Sequence, residues 1–223
     1  MMHTKLNNAF GLSLLSLWIV LFAGSSVFAQ TGSGNCGQLT NGTGPFDYRT
    51  DQDKLPVVTD AHFTELVESL IRGNTSRTPG GDIDYTLRAI PNHHRALIAM
   101  MRFGEKEKTQ QPSGSRYPVE CWFDRAIRFR PDDSIVRMIY STFLNKNGRI
   151  PEATVQLEIA TTYAKDSAFT HYNIGLHYFD LKNYDRALIQ AHKAIELGLI
   201  QTALRDQLQS VGKWKEPVDA PAN

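Results

Sequence analysis

Residues 168–199 read AFTHYNIGLHYFDLKNYDRALIQAHKAIELGL. Gly175 follows the apolar Ile174, and Tyr178 stands three residues further on. Ala187, Ala191 and Ala194 then recur at three- and four-residue intervals, the spacing of one helical face. Counting back 34 residues, Ala187 falls on Ala153, Ala194 on Ala160 and Lys182 on Gly148. The turn and the second helix therefore occur twice. Small residues at such positions let paired helices approach closely, with Tyr178 or Leu144 filling the space beside them. The spacing predicts helix pairs stacked one on the next.

This pattern resembles the tetratricopeptide repeat, a 34-residue helix–turn–helix unit with the pattern W-x2-L-G-x2-Y, then A-x3-F, then P. Gly175, Tyr178 and Ala187 match it, whereas His171, Ala191 and Leu199 stand where the family has Trp, Phe and Pro. The resemblance implies an all-α, right-handed superhelical solenoid of about four helix pairs plus a C-terminal capping helix. It also implies a concave face lined by the first helix of each pair, and binding of a protein or peptide partner.

The chain has 223 residues, 41% of them hydrophobic, enough for one domain with a core. Met1 to Ala29 has the layout of a secretory signal peptide. Lys5 supplies the positive end, Ala9 to Gly24 is uncharged and apolar, and Val27-Phe28-Ala29 has small residues at the cleavage positions. The apolar run is about 16 residues, short for a spanning helix, so a retained anchor is the lesser reading. Cleavage would leave Gln30 first and predicts a periplasmic or secreted protein with no stable membrane insertion. Without Lys5, 23 basic residues face 23 acidic ones. That balance argues against a nucleic-acid partner.

Residues 30–58 read as an extended lead-in, 59–213 as the helical domain and 214–223 as a loose tail, with Trp214 able to pack under the cap. Cys36 and Cys121 are the two cysteines of an exported chain and are expected to pair, closing a loop of about 86 residues and pinning the lead-in to a helix. Gly44-Pro45-Phe46-Asp47-Tyr48-Arg49 carries two aromatics and a charge pair. Either Phe46 and Tyr48 plug the open end of the stack, or the segment docks a partner. GPFDYR, followed by HFT and DYTLRAIPNH, resembles a group of exported proteobacterial tetratricopeptide proteins. This resemblance implies export and no particular activity.

Along the domain, Asp60 to Gly73 predicts a helix with Phe63, Leu66, Val67, Leu70 and Ile71 as its apolar stripe. Residues 82–90 predict a second, and Pro91-Asn92 stop it. Helices follow at 93–108 and 121–129, separated by a polar surface loop at 108–118. Two regular repeats, at 134–167 and 168–201, and a capping helix at 199–211 complete the domain.

No catalytic motif is present: no H-E-x-x-H, no G-x-S-x-G, no P-loop and no Rossmann glycine pattern. The expectation is a non-enzyme without metal or cofactor. His93 and His94 are adjacent, about 100° apart on a helix, and read as first-turn residues after Pro91. Function is expected on the concave face. The residues expected there are Arg102 in the third unit, Met138, Thr142 and Asn145 in the next, and Tyr172, Asn173, Phe179 and Asp180 in the last. Asn173 stands where peptide-binding members of the family hold a ligand backbone. The groove takes a hydrophobic peptide or the chain's own N-terminal segment. Arginines 88, 95, 102, 116, 125, 128 and 130 concentrate in the middle units, as a salt-bridged surface or as a basic face. The expected function is an exported, non-catalytic adaptor in an envelope process. The alternative is a structural subunit that self-associates as a homo-oligomer through its open ends.

Overall fold

The computed structural model describes residues 1–2 and 36–217. The expected leader lies outside the described residues save for Met1 and Met2, as do residues 30–35 and 218–223. Ten helices and no strand occur among the described residues: α1 (Pro56–His62), α2 (Glu65–Glu68), α3 (Pro79–Ala89), α4 (His94–Glu107), α5 (Val119–Phe129), α6 (Ser134–Lys146), α7 (Ile150–Ala164), α8 (Ala168–Asp180), α9 (Tyr184–Glu196) and α10 (Ala203–Ser210). All belong to the unit Gly32–Asn223. None is long and apolar enough to cross a membrane.

Four helices start on a side-chain cap, which satisfies an N–H that the first turn leaves open. His93 accepts from the Ala96 N–H ahead of α4, and Asp133 from the Ile135 and Val136 N–H groups ahead of α6. Ser167 accepts from Thr170 ahead of α8, and Asn183 from Arg186 ahead of α9. α6 and α8 begin 34 residues apart, at Ser134 and Ala168, as do α7 and α9, at Ile150 and Tyr184. Within each unit the two helices pack together, α6 on α7 and α8 on α9. α4 lies against α6, and α6 against α8.

The small residues sit at these contacts. Ala153, Ala160, Ala187 and Ala194 are buried. A methyl group on Gly175 would meet Leu204 Cδ2 at 2.4 Å and Gln190 Cβ at 3.2 Å, so α9 and α10 both close over this glycine. His171, where the repeat pattern it resembles has Trp, is buried with both ring nitrogens engaged: Nδ1 lies 2.7 Å from Gln190 Oε1 and Nε2 lies 2.8 Å from the Lys165 carbonyl. It gives up apolar volume and satisfies its polarity locally.

The single helix expected at 60–73 is two short ones. The chain breaks at Phe63 and Thr64, and Leu70 takes a left-handed φ of 60°. The break turns Phe63, Val67 and Leu70 into the core and leaves Leu66 and Ile71 outside. Lys106 Nζ donates to the Leu70 carbonyl at 2.8 Å and fixes that turn. The following loop is built on Asp82, a buried carboxylate that accepts from the Asn74 N–H at 2.8 Å and the Ser76 N–H at 3.0 Å.

The cap is shorter than the periodicity suggests. Gly198, at φ 90°, ends α9, and Ile200 is 92% exposed between the helices. Leu204 and Leu208 carry the buried face of α10. Trp214 does pack, against the cluster that holds these two leucines, with its ring edge-on to His192 at 5.1 Å.

Candidate protein-binding face

Because His94, Ser134 and Ala168 are the first residues of α4, α6 and α8, their side chains can be compared position by position. The second position of each is exposed: Arg95, then Ile135 at 43%, then Phe169 at 61%. The fifth holds Ile98, Met138 and Tyr172, the ninth Arg102, Thr142 and Leu176, and the twelfth Glu105, Asn145 and Phe179. Two cross-helix contacts tie the rows together. Lys146 Nζ donates to Glu105 Oε1 at 2.8 Å, and Thr142 Oγ1 lies 3.3 Å from His177 Nδ1. Across the face the chemistry grades from charged on α4 to aromatic on α8.

Each expected site residue has a definite place. Arg102 and Asp180 are exposed, on α4 and α8 respectively. Asn145 is half-buried on α6, and Thr142 donates to the Met138 carbonyl at 3.3 Å. Met138 is only 5% exposed and belongs to the core, so it offers no surface. Tyr172 and Phe179 are half-buried and rest on that same core, with Phe179 at 5.2 Å from the Tyr184 ring. Asn173 Nδ2 donates to the Phe169 carbonyl of its own helix at 2.8 Å, which leaves its Oδ1 to accept from a ligand. A cleft of about 530 Å³ opens beside Glu105, between Met101, Val119, Glu120, Phe143 and Arg149.

The N-terminal segment engages other helices. Cys36 is bonded to Cys121 of α5, 85 residues away. One turn along α5, the buried Arg125 donates to the carbonyls of Cys36 at 2.9 Å and Gln38 at 2.7 Å. Its guanidinium lies over the rings of Tyr117 and Trp122, 5.3 and 5.6 Å from their centroids. Burial lowers the Arg125 pKa, and a guanidinium still remains protonated there. Arg128 donates to the Gly37 carbonyl at 3.0 Å.

Further along the segment, the charge pair of Asp47 with Arg49 is part of a wider network that sequence reasoning missed. Asp47 is 2% exposed. Its carboxylate accepts from Asn92 Nδ2 at 2.7 Å, Arg130 Nε at 2.6 Å, and the backbone and side chain of Arg49. Asn92 also donates to Asp133 Oδ2 at 3.0 Å and accepts from the Tyr48 N–H at 3.0 Å. His94 Nε2 lies 2.9 Å from Asp133 Oδ2. One network therefore joins the segment to the turns before α4 and α6. Burial alone would raise the Asp47 carboxyl, but the bonds from Arg49, Asn92 and Arg130 outweigh it and hold the group far below the usual carboxylate range. Asp133 is lowered in the same way: burial pushes it up, and His94, Asn92 and the Val136 N–H pull it down further. Burial drops the His93 ring to about 3, so it stays neutral as a cap.

The signal for this network lay in two matching turns, Pro91-Asn92-His93 and Pro131-Asp132-Asp133. Each puts polar residues just before a helix. Phe46 and Tyr48 pack beside Leu55, Val58, Ala89 and Ile90. Most of the middle arginines are tied up: Arg88 to Asp84, Arg95 to Glu68, Arg128 to Asp124 and Arg130 to Asp47. Among the described residues no group of three or more His, Cys, Asp or Glu is placed to hold a metal ion. Compared with family models and with curated proteins, the chain finds no match.

Proposed function

We propose that this is an exported, non-catalytic adaptor with a tetratricopeptide-like solenoid, which holds a protein or peptide partner in an envelope process. The observation that carries the reading is the common register of α4, α6 and α8, which lines exposed Phe169 up with Arg95 and Ile135. The 34-residue offset of the two C-terminal helix pairs supports the solenoid. The leader pattern and the Cys36–Cys121 bond support export to the periplasm or beyond. A second reading, a self-associating structural subunit, draws on exposed Ile189 and Ile200, which lie off this face.

A photo-crosslinking residue at Phe169 and another at Ile189 separate the two readings. The adaptor reading expects envelope crosslinks from position 169 to a different protein, with the purified protein monomeric by light scattering. Crosslinks to a second copy from position 189, with concentration-dependent mass, would establish self-association instead. Phe169 is the better probe than Tyr172, since Tyr172 rests on the core and its truncation would cost stability as well as binding.

A further inference from the structure

The charges on this face are not evenly compensated. Arg95 pairs with Glu68 and Lys146 with Glu105. Arg102 on α4 and Asp180 on α8 are exposed and make no ion pair with any described residue. Between them lie Thr142 and Asn145 of α6, then Leu176 and Phe179 of α8. The two ends of the described chain are committed elsewhere. Residues 36–49 are held on α5 and at the turns before α4 and α6, and the Lys215 carbonyl lies 2.8 Å from His192 on α9.

Resting on the partner-binding reading above, we infer that the partner is an extended peptide segment carrying an acidic residue over Arg102, apolar residues over Leu176 and Phe179, and a basic residue over Asp180. The spacing follows from the helices. Packed helix axes lie about 8–10 Å apart, so two steps from α4 to α8 span roughly 16–20 Å. An extended chain rises about 3.3 Å per residue, which sets the acid and the base about five or six positions apart. The apolar stretch supplies burial, and the two charges fix register and direction along the face.

The test is selection of random 12-residue peptides on the exported, oxidised protein, followed by affinity measurement at physiological salt. Selected peptides should carry an acid and a base at that spacing around apolar residues. Arg102→Glu or Asp180→Lys should each weaken them about threefold to tenfold, the scale of exposed ion pairs and their reversal. A peptide with its two charges exchanged should recover binding to the Arg102→Glu, Asp180→Lys double variant. Phe169→Ala serves as the control for the face itself. Peptides that lose affinity with Phe169→Ala but ignore both charge variants would overturn the inference and leave the adaptor reading standing. Peptides indifferent to all three changes would overturn both. So would an absence of selected peptides with crosslinks from position 169 to a second copy or to residues 30–35.

Discussion

Gly175→Ala sets two effects of similar size against each other. In a helix interior, alanine is better than glycine by about 0.5–1 kcal/mol. At this site the new methyl would lie 2.4 Å from Leu204 Cδ2, 3.2 Å from Gln190 Cβ and 3.4 Å from the Ala187 carbonyl. Overpacking of this kind costs about 1–3 kcal/mol. Leu204 Cδ2 is the end of a side chain, but Leu204 is 1% exposed and hemmed in, so it cannot swing into solvent. The clash should win, with a net loss of about 1 kcal/mol and a fall in Tm of a few degrees for a domain of this size. Leu204→Ala alone should lose about 2–5 kcal/mol through the cavity it opens. The double variant should lose less than the sum, because each change relieves the other, with a coupling of about 1 kcal/mol or more. Urea denaturation of all four proteins, compared at constant m, measures the cycle. A stabilised Gly175→Ala with additive energies would mean that α10 does not lie over α8.

Three further outcomes are expected. Ala187→Leu, at a fully buried contact, should destabilise by about 1–3 kcal/mol in thermal melts, whereas Asp185→Leu on the exposed side of the same helix should stay within about 0.5 kcal/mol. Cys36→Ser should lose up to about 4–5 kcal/mol on the chain-entropy account, and non-reducing peptide mapping of the parent should recover Cys36 joined to Cys121. Stability should fall with acid in two stages. His93, lowered to about 3, and His177, also lowered by burial, bind fewer protons folded than unfolded from their unfolded value of about 6.5 downward, and Asp47 and Asp133 do the same below about 4. His93→Asn should reduce the slope of the first stage, leaving the part due to His177, and leave the second, as read by urea midpoints across pH; an unchanged slope between pH 6 and 4 would remove His93 from that role.

The C-terminal half was legible because its determinants are local and periodic. Gly175, Ala187 and Ala194 announce a close helix pair wherever they occur at that spacing, and the 34-residue echo at Ala153 and Ala160 fixes the register of its neighbour. The two cysteines were legible by elimination, there being no other pair. In the N-terminal half the helices at 82–90 and 93–108 were legible in the same way, but the network that holds the lead-in was not, because its determinants are non-local. Nothing within ten residues of Asp47 says that Asn92 and Arg130 will meet it. The helix expected at 60–73 failed for a related reason: Phe63, Val67 and Leu70 have helical spacing, yet reaching one core required a break at Thr64 that tertiary packing imposes. On the candidate face, the period together with the resemblance put Arg102 and Asp180 on helices, where both are exposed. Met138, expected beside them, is buried because its side chain joins the C-terminal core rather than the surface.

The two halves are held together by different physics, and this bears on why the segment at 44–49 is polar at its centre. Phe46 and Tyr48 alone would anchor it by apolar contact, which is non-directional and permits a slipped or reversed placement. Asp47 changes that. A buried carboxylate is tolerated only where its oxygens are fully met, and here donors come from Arg49, Asn92 and Arg130, on three separate parts of the chain. A one-residue slip would bury Phe46 or Tyr48 against those donors and expose or orphan the carboxylate. Arg125 is met in part: one guanidinium nitrogen donates to the carbonyls of Cys36 and Gln38, positions that the disulfide to Cys121 holds in place, while its buried Nε has no hydrogen-bond partner among the described residues. In such a network the polar groups add little net stability over an apolar substitute and exclude the alternatives instead. Replacing Asp47, Asn92 and Arg130 together by apolar residues of similar volume should therefore lower stability only by what Asp133 and the Tyr48 N–H lose with Asn92, about 1–3 kcal/mol. Hydrogen exchange should show where specificity was lost: amides of residues 46–49 should exchange faster in the triple variant while those of α8 and α9 keep their protection. Unchanged protection at 46–49 would show that Phe46 and Tyr48 suffice to place the segment.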